Sequence, residues 1–208
     1  MNDSKCKICR RLGVKLFLRG ERCLSPKCPM VRKPYPPGQK GKRRPRPLSE
    51  YGKELKEKQK LRNWYNLKEG QFKNYVKAAL GKRGKEDAAA LLIKTLERRL
   101  DNVVFRLGFA SSRAAARQIV SHCHILVNEK PINIPSYLVK KGDKIQIKTG
   151  SAKKGISRNL PSILKKHTPP SWLSLEAEKL EGKVKNLPTI EEAAPPAEIS
   201  SIFEFYSK

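Results

Sequence analysis

Leu96-Glu97-Arg98-Arg99-Leu100-Asp101-Asn102-Val103-Val104-Phe105-Arg106-Leu107-Gly108-Phe109-Ala110, followed by Ser112-Arg113-Ala114-Ala115-Ala116-Arg117-Gln118-Ile119-Val120-Ser121-His122, is the stretch that decides the fold. Leu100 to Leu107 reads as a helix, and Gly108 stops it with the residue type best suited to a helix C-terminus. Ser111 or Ser112 then caps a short second helix bearing Arg113, Ala116, Arg117, Ile119 and Val120. Beyond it, Ile125-Leu126-Val127, a turn at Asn128-Glu129-Lys130-Pro131 and Ile132-Asn133-Ile134 read as a hairpin. Lys140-Lys141-Gly142-Asp143-Lys144 is a basic turn leading into the alternating strand Ile145-Gln146-Ile147-Lys148. Two helices followed by short strands make a compact α+β module.

Upstream the texture is helical alone. Ser49 is a plausible N-cap for a helix carrying Tyr51, Leu55, Leu61 and Tyr65 among charged residues. A second helix fits Lys68 to Leu80, with Phe72, Tyr75, Val76, Ala79 and Leu80 on one face before Gly81. A third begins near Glu86, with Ala88, Leu91, Leu92 and Thr95 as its stripe and Glu86 and Asp87 at the positive end of its dipole. Such stripes are usually core, so these helices form a small bundle. At the far end Ile199, Ile202, Phe203 and Tyr206 fall at i, i+3, i+4 and i+7 after Pro195-Pro196. This terminal helix needs a partner for its apolar face, and docking on the bundle would make the α+β module an insertion. The expected division is 1–48, 49–95 completed by 197–208, and 96–188.

Charge points to the partner. The 208 residues hold 46 Lys and Arg against 19 acids, a net of +27. Residues 171–208 contribute seven acids and four lysines, so the first 170 carry the whole excess, a net of about +30. Charges that repel one another do not help a domain fold, and a polyanion such as nucleic acid explains them. An anionic membrane is the rival, but no run approaches the ~20 apolar residues of a span. Met1-Asn2-Asp3-Ser4-Lys5 does not look like a signal peptide, so a cytoplasmic location is expected. Between Pro29 and Pro47 lie six prolines and seven cations, Arg43, Arg44 and Arg46 among them, without an acid. Proline denies this segment a helix, leaving an extended strap that follows a phosphate backbone, or a plain linker.

Cys6-Lys7-Ile8-Cys9 and Cys23-Leu24-Ser25-Pro26-Lys27-Cys28 form two close pairs separated by 13 residues. Two such pairs complete a tetrahedral site, with Zn2+ favoured over an iron–sulfur cluster or unused thiols. Four cysteines leave no open position, so the ion is structural, one per chain. Lys5, Lys7, Arg10, Arg11, Arg22 and Lys27 surround the pairs and favour thiolates. Cys123, between His122 and His124, suggests a second metal or a nucleophile, but no carboxylate lies nearby in sequence to orient a base; two imidazoles near Arg113 and Arg117 read better as RNA contacts. No Gly-rich phosphate loop, no nucleophile motif and no close acidic pair argue for an enzyme or a small-molecule substrate.

The stretch quoted first, with His124-Ile125-Leu126-Val127-Asn128, closely resembles the S-four RNA-binding domain, which also occurs in RNA-modifying enzymes. Tyr51 to Arg62, Gln71-Phe72-Lys73-Asn74-Tyr75, the four N-terminal cysteines and the ending Phe203-Glu204-Phe205-Tyr206-Ser207-Lys208 extend the resemblance to the bacterial small-subunit ribosomal S-four family, in its zinc-carrying form. It implies an α+β fold in which a zinc-bound N-terminal module and a helical domain hold an inserted S-four-type α+β RNA-binding domain. It also implies binding of small-subunit rRNA at the junction of its 5′ domain, early in assembly. The neighbours are other small-subunit ribosomal proteins and the channel by which mRNA enters, with an influence on decoding accuracy. Two features depart from the family: Cys123 stands where Gly is expected, and Thr189 to Pro196 is an unusually acidic, Pro-rich loop. A-form RNA is read by shape and phosphate position. The candidate contacts are Arg98, Arg99, Arg113, Arg117, His122, His124, Lys130, Lys140, Lys141 and Lys144, joined by Arg43, Arg44 and Arg46 of the strap and by Arg10 and Arg11. A zinc-containing DNA-binding regulator is the remaining rival, disfavoured by the Pro-rich arm and the absence of heptads.

Overall fold

A computed structural model of the chain describes residues 3–38, 41, 47–81, 87–148 and 160–207. Arg43, Arg44 and Arg46 of the strap, and Glu86 at the expected start of the third helix, lie outside the described residues. Among the described residues the elements run α1 (Asp3–Leu12), α2 (Glu21–Leu24), α3 (Pro29–Arg32), α4 (Glu50–Trp64), α5 (Glu69–Leu80), α6 (Ala88–Glu97), α7 (Leu100–Arg106), α8 (Arg113–Ser121), β1 (Ile125–Val127), β2 (Lys130–Pro131), β3 (Lys144–Ile147), α9 (Leu160–Lys166), β4 (Leu173–Glu176), β5 (Glu181–Val184), α10 (Ile190–Ala193) and α11 (Ile199–Ser207). They group into two compact units, Met1–Ala89 with Pro195–Lys208, and Ala90–Ala194. The fold is therefore mixed α+β.

In the first unit Ser49 caps α4, its hydroxyl accepting the Gly52 N–H at 3.2 Å. The inward face of α4 keeps only the second half of the expected apolar set. Leu61 and Tyr65 are buried, but further up the helix Glu54 and Lys58 turn inward, whereas Tyr51 is 58% exposed. Lys58 is tolerated inside because its ammonium meets Glu69 at 2.7 Å and sits 4.2 Å from the Phe205 ring. α11 packs along α4 and α5 through buried Ile202 and Phe203, and Tyr206 donates its hydroxyl to Glu69 at 3.0 Å. The N-terminal segment is helical. α1 places Cys6, Cys9 and Leu12 on one buried stripe, and Cys9, Leu12 and Leu16 form a small core with Met30 and Trp64 against it. The expected extended strap is corrected at its start: Pro29 opens α3, because a proline at the first helical position gives up only an N–H that has no partner there.

In the second unit α7 and α8 lie against a sheet of order β2-β1-β3-β5-β4, antiparallel throughout. Leu100, Val103, Val104 and Leu107 of α7 and Ala116 and Val120 of α8 share one core with Ile125, Val127, Ile145, Leu173 and Val184 from the strands. Ser112 is the N-cap of α8, accepting the Ala115 N–H at 3.3 Å. Gly108 is left-handed at φ +81, and a Cβ there would stand 2.8 Å from the His167 ring. The hairpin differs from expectation in register. Leu126 pairs with Pro131 and Val127 with Lys130, so the turn is Asn128-Glu129 alone, both at positive φ. That two-residue turn matches the twist of a hairpin and draws Lys130 and Pro131 into the sheet, leaving Ile132-Asn133-Ile134 beyond it. Strands β4 and β5 and helix α9 had no counterpart in the sequence reading. The acidic Thr189–Pro196 segment contains α10, held by a capping box between Thr189 and Glu192.

Candidate nucleic-acid interface

The candidate surface is built on two turns tied together. Asn128 donates its side-chain amide to Asp143 at 2.9 Å and its backbone N–H to the Lys144 carbonyl at 2.9 Å, while its side-chain oxygen accepts the Lys144 N–H at 3.0 Å. Asp143, 9% exposed, also accepts the Lys140 N–H at 2.7 Å. One buried carboxylate and one amide thus hold the β1–β2 turn against the 140–144 turn. Lys130, Lys140, Lys141 and Lys144 are exposed around this knot. Backbone bonds fix the stems while the ammonium groups stay in water, an arrangement suited to point contacts with phosphates.

The sheet adds a cation that the sequence reading missed. Lys183 of β5 stands directly opposite Lys144 of β3. Like charges facing across strands oppose pairing, and Glu181 relieves them only in part, 3.5 Å from the Lys144 ammonium. The Gln146 amide donates to Glu181 at 2.8 Å and, with Lys144 beside it, holds that carboxyl below its ordinary range. The alternation in Glu181-Gly182-Lys183-Val184, with Gly182 and Val184 buried, is the signal that would have placed Lys183 outward.

Other candidates are placed differently. Arg99 is 1% exposed and makes a bidentate pair with Asp101, at 3.1 and 2.6 Å. Arg113 is 8% exposed, donates to Asn102 at 2.8 Å and lies 4.5 Å from the Phe105 ring. Both are corrections: these guanidiniums are structural parts of the interior and offer no fork to a phosphate. Arg98 is half-buried and donates to the Val139 carbonyl at 2.9 Å. Arg117 is half-buried on α8. His122 and His124 stack at 6.0 Å around Cys123, whose φ is +57. They precede β1 and the knot follows it, so about 10 Å of strand separates them. Arg10 donates to the Tyr35 carbonyl at 2.9 Å, and Arg11 is exposed.

The four N-terminal cysteines are all buried and line one small cavity of about 10 Å³. The Arg19 N–H points to the Cys23 sulfur at 3.4 Å and its guanidinium to the Cys6 sulfur at 3.8 Å. Burial pushes the Cys9 thiol up, and Cys23, Cys6 and Cys28 add to this against a backbone hydrogen bond involving Leu16. Donors aimed at sulfur and a common cavity suit a soft cation. Among the described residues, however, no three His, Cys, Asp or Glu side chains are arranged to hold a metal ion, so the expected zinc-bound module does not follow from the geometry.

The second unit is thus a helix pair laid on an antiparallel sheet, with lysines knotted at its turns. Residues 98–145 of the chain match the S4 domain, which sets its class, and residues 1–97 match the ribosomal protein S4/S9 N-terminal domain. Similar proteins include small ribosomal subunit protein uS4A of Symbiobacterium thermophilum, 48% identical over 98% of this chain and 96% of its own. Proteins named small ribosomal subunit protein uS4 from Syntrophobacter fumaroxidans, 48% identical over 99% of this chain and 98% of theirs, and from Thermus thermophilus, 47% over 98% and 96%, are similar too. The chain belongs to the ribosomal protein S4 (uS4) family.

Proposed function

We propose that this protein is a structural, non-enzymatic constituent of the cytoplasmic small ribosomal subunit that binds small-subunit (16S) rRNA directly. The observation that carries the reading is the Asn128–Asp143 knot, which fixes four lysines on one surface of a chain with a net charge of +27. Family membership over nearly the whole length supports the ribosomal setting. Lys130, Lys140, Lys141, Lys144 and Lys183 take phosphates at the 5′-domain junction, with Arg98, Arg117, His122 and His124 beside them and Arg10, Arg11, Arg43, Arg44 and Arg46 adding contacts from the N-terminal region. Residues 1–48, 49–95 with 197–208, and 96–188 act as module, helical domain and RNA-binding domain. Binding there nucleates assembly, and a position by the channel that mRNA enters, among neighbouring small-subunit proteins, lets the protein influence decoding accuracy. Among the described residues no helix is long and apolar enough to cross a membrane.

Chemical footprinting on full-length rRNA with duplex DNA in excess tests this. Protection confined to a 5′-domain junction is expected, and diffuse protection that DNA abolishes would reduce the binding to charge alone.

Cys6, Cys9, Cys23 and Cys28 would hold one structural Zn2+, supported by their common burial and by four donors of the type zinc takes. When bound, the ion cross-links α1 to the α2–α3 segment. Elemental analysis of reduced, zinc-replete protein should return one zinc per chain; none would remove the ion from this reading.

A further inference from the structure

The four N-terminal cysteines are not equally placed toward solvent. Cys9, Cys23 and Cys28 line the inner cavity of about 10 Å³, which has room for about one water and for no larger reagent. Cys6 lines that cavity too, but it also lines a second one of about 310 Å³, and of the five cysteines it alone does so. It is also the most exposed of the four, at 9% against 5, 6 and 4% for Cys9, Cys23 and Cys28. The Arg19 guanidinium, in the wall of the inner cavity, points to the Cys6 sulfur at 3.8 Å. A molecule arriving from outside therefore meets Cys6 first. The charged lining of the second cavity is cationic throughout: Lys7 and Arg10 from α1, Arg22 from α2, Lys27 from the following link, Arg32 from α3 and Lys33 at its end. All but Arg10 are exposed, and Arg10 is held in place, its Nε donating to the Tyr35 carbonyl at 2.9 Å. A cleft walled by one sign of charge concentrates small ions of the other sign and speeds their arrival by about 10- to 1,000-fold.

We propose that Cys6 is a thiol-modification site whose reagent is a low-molecular-weight disulfide bearing carboxylates, gathered by the cationic cleft. The Cys6 sulfur gives its electron pair to the nearer sulfur of the reagent, and the S–S bond of the reagent breaks. The departing sulfur keeps that bond's pair and takes up the proton that Cys6 gives up, so one mixed disulfide and one small thiol result. Arginine forks onto carboxylates and the lysines act as point charges, which fits the cleft to the charged ends of such a reagent. The inner three cysteines stay behind Cys6 and react later. The site does not depend on the RNA reading. It shares with the zinc reading only the Cys6 sulfur, since exchange there takes one of four ligands from a bound ion.

The test uses the full chain carrying Cys123→Ser, which leaves the four N-terminal thiols. Less than one equivalent of dithiobis-nitrobenzoate, a dianionic disulfide, should label Cys6 first when the peptides are mapped. Its rate, divided by its rate on a neutral small thiol, should exceed the same ratio for uncharged dithiodipyridine by at least about tenfold. That excess should vanish at ~1 M salt, where the Debye length is about 3 Å. It should also fall at least about fivefold in Arg22→Gln/Lys27→Gln/Arg32→Gln, whose three changes are all at exposed positions. First label on Cys9, Cys23 or Cys28, or label spread evenly over the four, would overturn access through the cleft. Equal ratios for the two reagents, or an excess that survives salt, would overturn the selection by charge. The salt series needs no change in the cleft, so a variant that fails to fold leaves the answer in place. Elemental analysis of the same samples separates this site from the zinc reading. Zinc-free protein labelled first at Cys6 would remove the ion and keep the site, and zinc-loaded protein labelled first elsewhere would do the reverse.

Discussion

Glu97→Gln should destabilise the second unit far more than its single-atom change suggests. Glu97 is fully buried and accepts from Arg106 at 3.0 and 2.9 Å and from the Asn102 amide at 2.8 Å. Asn102 in turn accepts from Arg113 at 2.8 Å, and Arg106 also donates to the Ala193 carbonyl at 2.9 Å. One carboxylate therefore ties the end of α6 to α7 and, through Asn102, to α8. Gln keeps the shape but removes the charge and turns an amide donor toward groups that already donate. Losing one partner of a buried pair costs about 3–5 kcal/mol; Arg106 keeps 19% of its side chain in water, which relieves part of this, and about 2–4 kcal/mol is expected. Urea unfolding followed by Trp172, 1% exposed in the core of that unit, in a Trp64→Phe background, reads the loss directly. With a slope of roughly 1–3 kcal/mol per molar, the midpoint should fall by about 1–3 M. Glu97→Leu with Arg106→Met should cost less than Glu97→Gln alone, because no charge is left stranded and Asn102 retains the Glu97 carbonyl at 3.1 Å. A loss under about 0.5 kcal/mol for Glu97→Gln, or a double variant no better than the single, would refute the reasoning.

Gly182→Ala should cost about 1–3 kcal/mol by overpacking, since a Cβ there would lie 2.4 and 2.6 Å from the methyls of fully buried Leu107; Leu107→Ala in the same chain should abolish that increment, and strict additivity in a double-mutant cycle would contradict it. Cys123→Val should lower stability by at least ~1 kcal/mol where Cys123→Gly does not, because φ +57 is costly for a β-branched residue; equal melting points for the two would show that the turn relaxes. For Glu69, burial works to raise the carboxyl, but Lys58, the Tyr206 hydroxyl and Arg62 outweigh it and hold the group below 4.5. Its contribution to the first unit is thus present above pH 4.5 and lost as pH falls through the lower folded value. Trp64 fluorescence should show a steeper acid limb for the unaltered chain than for Glu69→Gln, and coincident limbs would exclude Glu69 as the group responsible.

What could be read from the sequence was what local chemistry dictates. The Ser49 and Ser112 caps, the stop at Gly108 and the stripe of α11 each depend on residues within a turn or two of one another. The losses came where distant partners decide. Lys58 turns inward because Glu69 and Phe205 await it, from α5 and α11. β4 and β5 were invisible because their connection, Ala177-Glu178-Lys179-Leu180, has no Gly, Asn or Pro, and Leu180 itself takes the left-handed conformation at φ +51. The cysteine spacing was read as ligand spacing, yet Cys6 and Cys9 are also one helical turn apart with Leu12 following, which is a buried stripe in its own right. Both readings use the same residues, and only elemental analysis separates them.

Charge alone overstates the RNA surface for a physical reason. Arg98, Arg99, Arg106 and Arg113 look like a basic run in the sequence, yet Arg99 and Arg106 pair with Asp101 and Glu97, Arg113 bonds Asn102, and Arg98 bonds the Val139 carbonyl. A planar guanidinium makes several directed bonds at once, which lets arginine hold elements together inside a protein. Lysine makes no such fork, and among the described residues the exposed cations of the second unit, Lys130, Lys140, Lys141, Lys144, Lys148, Lys165, Lys166, Lys179, Lys183 and Lys185, are lysines. A surface of hydrated point charges on a rigid frame recognises where phosphates lie and says little about the bases between them. On the proposed reading the frame must then supply the selectivity, so the buried carboxylates Asp143 and Glu97, which hold that frame, decide how well the lysines find RNA.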